Sequence, residues 1–180
     1  KRKLFVNKKL IQNKKISEQK IIPTNLDAIN AIRKPFKETL KRLQIEHLDT
    51  YLLHEILPFN LPNDWEKTLI NLKDSCLVNH IGYGGGFSEE LFNKELPYWL
   101  DIIQIPFPIK NQKKLDYLKK WLDLNSKKEI RFYGIFRNGF DRNQINIAKN
   151  ILDDYKNVRI VFSSKSKKRI DENLRMFGVL

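Results

Sequence analysis

The segment Cys76-Leu77-Val78-Asn79-His80-Ile81-Gly82-Tyr83 is a largely apolar run of strand length, and similar runs return at Asp101 to Ile105, Ile130 to Phe136 and Val158 to Phe162. Their starts lie 25, 29 and 28 residues apart, the length of a strand, a helix and two short loops. Amphipathic segments fill the intervals: Leu115, Leu118 and Leu122 share one helical face, as do Ala148, Leu152 and Tyr155. Strands that are apolar nearly throughout are covered on both faces, so the repeat predicts a parallel sheet.

Toward the N-terminus the pattern continues with runs at Leu48 to Leu53 and Leu4-Phe5-Val6, separated by a helical stretch with Ile29, Ile32, Phe36, Leu40 and Leu43 on one face. Pro35 is expected to kink or break that helix. Crossover units close either into a doubly wound sheet or into a barrel of roughly 250 residues. Gly84-Gly85-Gly86 follows the third run and lacks the dinucleotide-binding spacing, which disfavours the first. Six units in 180 residues fall two short of the second. The expected fold is therefore α/β, a parallel (β/α)8 TIM barrel of which about six βα units are present, forming a single domain over residues 1–180. The chain has no initiator Met and enters an apolar run almost at once, so further residues are expected to precede Lys1.

The formal charge is +13, yet 25 Lys, 17 Asn and 21 Ile together point to A- and T-rich codons, and the lysines are spread over amphipathic helices as a solvated face. No nucleic-acid partner is expected. No apolar run approaches the roughly 18 to 20 residues of a membrane span. The lone Cys76 cannot form an internal disulfide, and the first residues lack a secretory apolar region, so a cytoplasmic location is expected.

In parallel α/β folds chemistry sits at the carboxyl ends of strands. Lys9, His54, Gly82 to Gly86, Gln104, Tyr133 to Asn138 and Ser163-Ser164 end or interrupt the six runs and should face one mouth. At such a place His54 suits a general acid or a donor to a substrate carbonyl, although a lone His also suits a structural role. Lys9 could lower the pKa of a neighbouring acid or be a solvated charge. The turn Lys165-Ser166-Lys167-Lys168-Arg169 before a helix over Ile170 to Phe177 suits a phosphate, through backbone N–H groups, the helix dipole and the Arg169 guanidinium. It equally suits an ordinary solvated helix start.

From Leu4 to Phe177 these residues resemble the aldo-keto reductase family. Leu4-Phe5-Val6 with Lys9-Leu10 resembles its third strand, which ends in the active-site lysine. Lys37 to Gln44 with Leu48-Asp49-Thr50-Tyr51-Leu52-Leu53-His54 resembles the signature carrying its active-site histidine. Trp65 to Leu72 with Ile81-Gly82, Asp101-Ile102-Ile103-Gln104, Tyr133 to Gly139, and Arg169-Ile170-Asp171-Glu172-Asn173 are similar to later strands and helices of the family. The resemblance implies an NADPH-dependent reductase of aldehydes or ketones, with NADPH preferred over NADH and a small-molecule carbonyl substrate. It implies Lys9 and His54 as catalytic residues, with Gln104, Tyr133, Ser164, Arg169, Glu172 and Asn173 at the cofactor. Gln104 would contact the nicotinamide amide and Tyr133 would stack on its ring, while Arg169 would meet the 2′-phosphate. No metal is implied. The chain departs from the family where Gly84-Gly85 replaces a Ser-Asn pair and Ser163 a lysine, and the family's aspartate and proton-donating tyrosine would lie upstream of Lys1. A non-catalytic barrel used for binding or assembly is the alternative.

Overall fold

The computed structural model describes residues 25–61, 63–86, 88–107, 112–136 and 141–179. Helix α1 spans Asn25–Leu43 and strand β1 Leu48–His54; a 3-10 turn at Pro58–Asn60 leads into α2, Asn63–Asp74. Then follow β2 (Val78–Gly84), α3 (Glu89–Asn93), β3 (Ile102–Pro106), α4 (Gln112–Leu124), β4 (Glu129–Tyr133), α5 (Arg142–Asp154), β5 (Val158–Val161) and α6 (Lys167–Met176). The expected strand at residues 4–9 lies outside the described residues.

All five strands are parallel and stand in the order β1-β2-β3-β4-β5. Each pairs with its predecessor in sequence, so the sheet winds in one direction. A doubly wound sheet would reverse at a switch point, and none occurs among the described strands. This is the architecture of a partial (β/α)8 barrel.

Helices cover one face. Leu53, Ile81, Tyr83, Ile103, Ile105, Ile130 and Phe132 pack there in one core with Ile32 and Phe36 of α1, Leu69 and Leu72 of α2, Leu118, Trp121 and Leu122 of α4, and Ala148 and Ile151 of α5. The Phe36 ring meets Tyr51 edge-on at 5.3 Å, and the Trp121 indole N–H donates to the Leu91 carbonyl at 3.1 Å. Because side chains alternate along a strand, Leu52, His54, Gly82, Gly84, Ile102, Gln104, Arg131 and Tyr133 occupy the opposite, barrel-inward face. Gly82 is required there, since a Cβ would lie 2.7 Å from the Ile102 carbonyl oxygen and also collide with Leu52.

Helix α1 runs through Pro35, so of the kink or break expected there the break does not occur. Two sequence expectations are corrected. Cys76 does not begin a strand: with φ of 55° it closes α2 in the left-handed conformation, the Leu77 N–H reaching back to the Leu72 carbonyl at 3.0 Å. Such a closure usually uses glycine, which is why Cys76 and Leu77 pass for strand residues. Strand β4 stops at Tyr133, not at residue 136, because Gly134 turns the chain with φ of 76°.

At the amino ends of the strands Asp101 acts as a clamp. Its carboxylate accepts from Lys73 Nζ at 2.7 Å and from the Ile81 N–H at 3.0 Å, while its own N–H donates to the Ile81 carbonyl at 2.8 Å. Lys128 Nζ donates to the carbonyls of Pro97, Tyr98 and Leu100 at 3.0, 3.1 and 2.6 Å. These bonds hold β2, β3 and β4 at one level, and so fix the height at which their carboxyl ends emerge.

Candidate active site

Register decides what meets at the mouth. His54 is paired with Gly84, Gly84 with Gln104, and Gln104 with Arg131, so the first three stand side by side at one level on the inward face. Tyr133, two residues beyond Arg131, stands one layer further out on the neighbouring strand. His54 is exposed, and its imidazole makes no hydrogen bond among the described residues. Gln104 and Tyr133 are half-buried.

The glycine turn after β2 is held from several sides. The Gly84 carbonyl accepts from the Glu55 N–H at 2.8 Å, and the Gly85 N–H donates to the Gln104 carbonyl at 3.1 Å. Tyr133 donates its hydroxyl to the Gly85 carbonyl at 3.2 Å, and Tyr83 donates to that of Gly86 at 3.4 Å. Burial pushes the Tyr83 phenol above its usual range, with the charge of Glu55 and the neighbouring Tyr133 adding to it. Tyr83 therefore stays a protonated donor. Glu55 itself takes φ of 58°, a conformation unusual outside glycine that lets its N–H reach back to β2.

Beyond β5 the chain enters the basic turn. Ser166 caps α6, its hydroxyl accepting from the Arg169 N–H at 3.4 Å, while Ser164 Oγ accepts from the Ser166 N–H at 3.1 Å. Helix α6 thus starts at Lys167, earlier than Ile170, and the cap rather than the basic residues sets its start. Arg169 and Glu172 are exposed, and Ser164 and Asn173 half-buried. Lys9 lies outside the described residues, so its expected convergence with His54 does too.

Solved structures match this fold. A Pseudomonas aeruginosa protein described as an aldo-keto reductase matches with a TM-score of 0.60 at 15% identity, over 81% of this chain and 57% of its own. Aldose reductase from Schistosoma japonicum matches at 0.56 with 20% identity, over 83% of this chain and 60% of its own. For the Giardia lamblia aldose reductase the score is 0.58 at 17% identity, over 85% and 64%. The fold is that of the aldo-keto reductases. This chain spans between 57% and 64% of the length of those structures. No family model matches the sequence, and no curated protein does.

Within the aldo-keto reductase fold, the structure brings His54, Gln104 and Tyr133 together at the mouth and delivers Ser164, Arg169, Glu172 and Asn173 on the turn and helix after the adjacent strand. Sequence reasoning missed Tyr83 and Glu55. A hydroxyl on a helix-facing strand position is the available signal for Tyr83, since a buried phenol must find an acceptor. Nothing in the residue type signals the backbone turn at Glu55. Among the described residues no cluster of three or more His, Cys, Asp or Glu is placed to hold a metal ion, and no helix is long and apolar enough to cross a membrane.

Proposed function

We propose that this chain carries the nicotinamide-binding side of an NADPH-dependent reductase of aldehydes or ketones. The observation that supports it most is the adjacency of His54, the side-chain-free Gly84 and Gln104 on three neighbouring strands, with Tyr133 above them, in a fold shared with aldo-keto reductases. The residues fit such a cofactor: a gap at Gly84 flanked by a carboxamide at one end of the site, and a capped, basic helix start at the other. The cofactor, when bound, supplies the hydride. Gln104 and Tyr133 would hold its ring end, and Ser164, Arg169, Glu172 and Asn173 its adenosine end.

His54, exposed at the mouth, would donate an imidazole N–H to the substrate carbonyl oxygen, orienting the carbonyl and drawing electron density from its carbon. Lys9 would lower the pKa of the proton-donating group. Arg169, a planar guanidinium beside a helix N-terminus, favours the 2′-phosphate of NADPH. We further place the protein in the cytoplasm, since its single Cys76 is exposed and unpaired.

The test is a fluorescence titration of the chain with NADPH and NADH, wild type and Arg169→Ala, followed by carbonyl-dependent oxidation of NADPH by the full-length gene product. Tenfold or greater preference for NADPH, lost in Arg169→Ala, is expected, because a charge-assisted bond contributes about 1.5 to 3 kcal/mol. Equal affinity for the two cofactors would refute the phosphate assignment. Cofactor binding with no carbonyl-dependent turnover would favour the non-catalytic barrel.

A further inference from the structure

The three glycines of the turn are not equivalent. A Cβ on Gly85 would collide with the hydroxyl end of the Tyr83 side chain, 2.6 Å from Cζ, so a side chain there would displace the buried Tyr83. A Cβ on Gly84 would meet Leu52 Cδ1 at 3.6 Å, an ordinary contact, and one on Gly86 would meet nothing within 4 Å. Packing therefore does not explain Gly84. Its missing side chain leaves a notch on the inward face between His54 and Gln104.

All three carbonyls of the turn are engaged, those of Gly85 and Gly86 by tyrosine hydroxyls. What remains for a ligand at this edge is donor-rich: the Gly86 N–H, the Gln104 carboxamide and the His54 ring, none of them hydrogen-bonded among the described residues.

We propose that Tyr83 and Tyr133 are positioning residues that latch the Gly84–Gly86 turn by its carbonyls, so that its backbone and the notch at Gly84 receive the planar, carboxamide-bearing end of the cofactor. Tyr83 acts through the turn, filling the space that a side chain at position 85 would need. Tyr133 has two points of attachment, its hydroxyl on Gly85 and its ring free to lie against the ligand, and a ring pinned in this way loses less freedom on binding. The turn thereby substitutes oriented backbone for side-chain hydrogen bonds. This rests on the nicotinamide reading above.

The two halves of the cofactor separate the inference from that reading. Reduced nicotinamide mononucleotide probes the latched turn, and 2′,5′-ADP probes the α6 turn, both by ligand-observed NMR on the chain. Tyr133→Phe keeps the ring and removes one hydrogen bond. It should weaken the mononucleotide about fivefold and leave 2′,5′-ADP unchanged; Tyr83→Phe should act in the same direction, less strongly because its bond is longer. Gly85→Ala should lower thermal stability and mononucleotide affinity together. With Tyr83→Val the collision is gone, so Gly85→Ala should add no further loss of stability to that of Tyr83→Val alone, while the affinity stays low, the hydroxyl being gone. Mononucleotide affinity within twofold of wild type in both phenylalanine variants would overturn the latch, and so would a wild-type chain that binds 2′,5′-ADP but not the mononucleotide. Failure to bind NADPH or either half would instead overturn the proposed function.

Discussion

Gly82 and Gly84 lie two residues apart on the same face of β2, and alanine at the two sites should behave in opposite ways. At position 82 the new methyl would sit 2.7 Å from the Ile102 carbonyl oxygen and 3.0 Å from Ile102 Cβ, against a neighbouring strand whose ladder bonds hold it in place. Backbone cannot turn aside as a flexible side chain can, so the strands must part locally. Overpacking of this kind costs about 1 to 3 kcal/mol, and contact with backbone places Gly82→Ala toward the upper end, about 2 to 3 kcal/mol. For a chain of this size that is a fall in Tm of roughly 5 to 10 °C. At position 84 the nearest atoms stand 3.6 to 4.0 Å away, so Gly84→Ala adds ordinary contact and removes the flexibility of a strand glycine. Its stability should equal or exceed wild type by up to about 0.5 kcal/mol. The assay is urea unfolding followed by circular dichroism, with thermal melts alongside. Equal destabilisation by both substitutions, or a neutral Gly82→Ala, would refute the placement of β2 against β3. Because Gly84→Ala fills the notch without harming the fold, it should also weaken reduced nicotinamide mononucleotide while leaving 2′,5′-ADP binding intact.

Further outcomes follow from other parts of the molecule. His54→Ala in the full-length gene product should lower kcat by about tenfold or more while changing the Kd for NADPH less than twofold, as steady-state kinetics beside a titration will show; an effect on Kd alone would remove His54 from the substrate side. Gln44, with φ of 56° just after α1, is in a conformation that costs most residues about 1 to 2 kcal/mol. Gln44→Gly should therefore raise stability by about 0.5 to 1 kcal/mol in urea unfolding, whereas Gln44→Val should lower it. Burial pushes the phenols of Tyr51, Tyr83 and Tyr155 above their usual value of 10.0, Tyr155 to about 12 with help from Asp123 and Asp154. A raised folded-state pKa contributes stability that is complete below 10.0 and is lost as pH climbs toward about 12, so unfolding free energy should fall across that window. Tyr155→Phe should flatten the fall, and an unchanged alkaline slope would show that Tyr155 ionises alike folded and unfolded.

Much of this protein is legible along the chain. The return of apolar runs at 76, 101, 130 and 158, with helical faces between them, is a local signal carried by residue type and period, and it sufficed for a parallel sheet with one-way crossovers. The polar residues that end those runs were legible for the same reason: His54 and Tyr133 are the last residues of their strands, and Gln104 is two from the end of its own. What the chain alone leaves open is which of these stand together. That depends on strand register, a long-range property set when side chains of the helix-covered face pack, and it places Gly84 between His54 and Gln104. The left-handed closures at Gln44 and Cys76 were hidden because residues other than glycine occupy them. The roles of Tyr83 and Glu55 were hidden because each acts through a backbone carbonyl of another strand or turn. Residue types determine which elements form; only the folded chain, in which Tyr133 reaches Gly85 across 48 positions of sequence, determines which backbone groups are already engaged and which are left for a ligand.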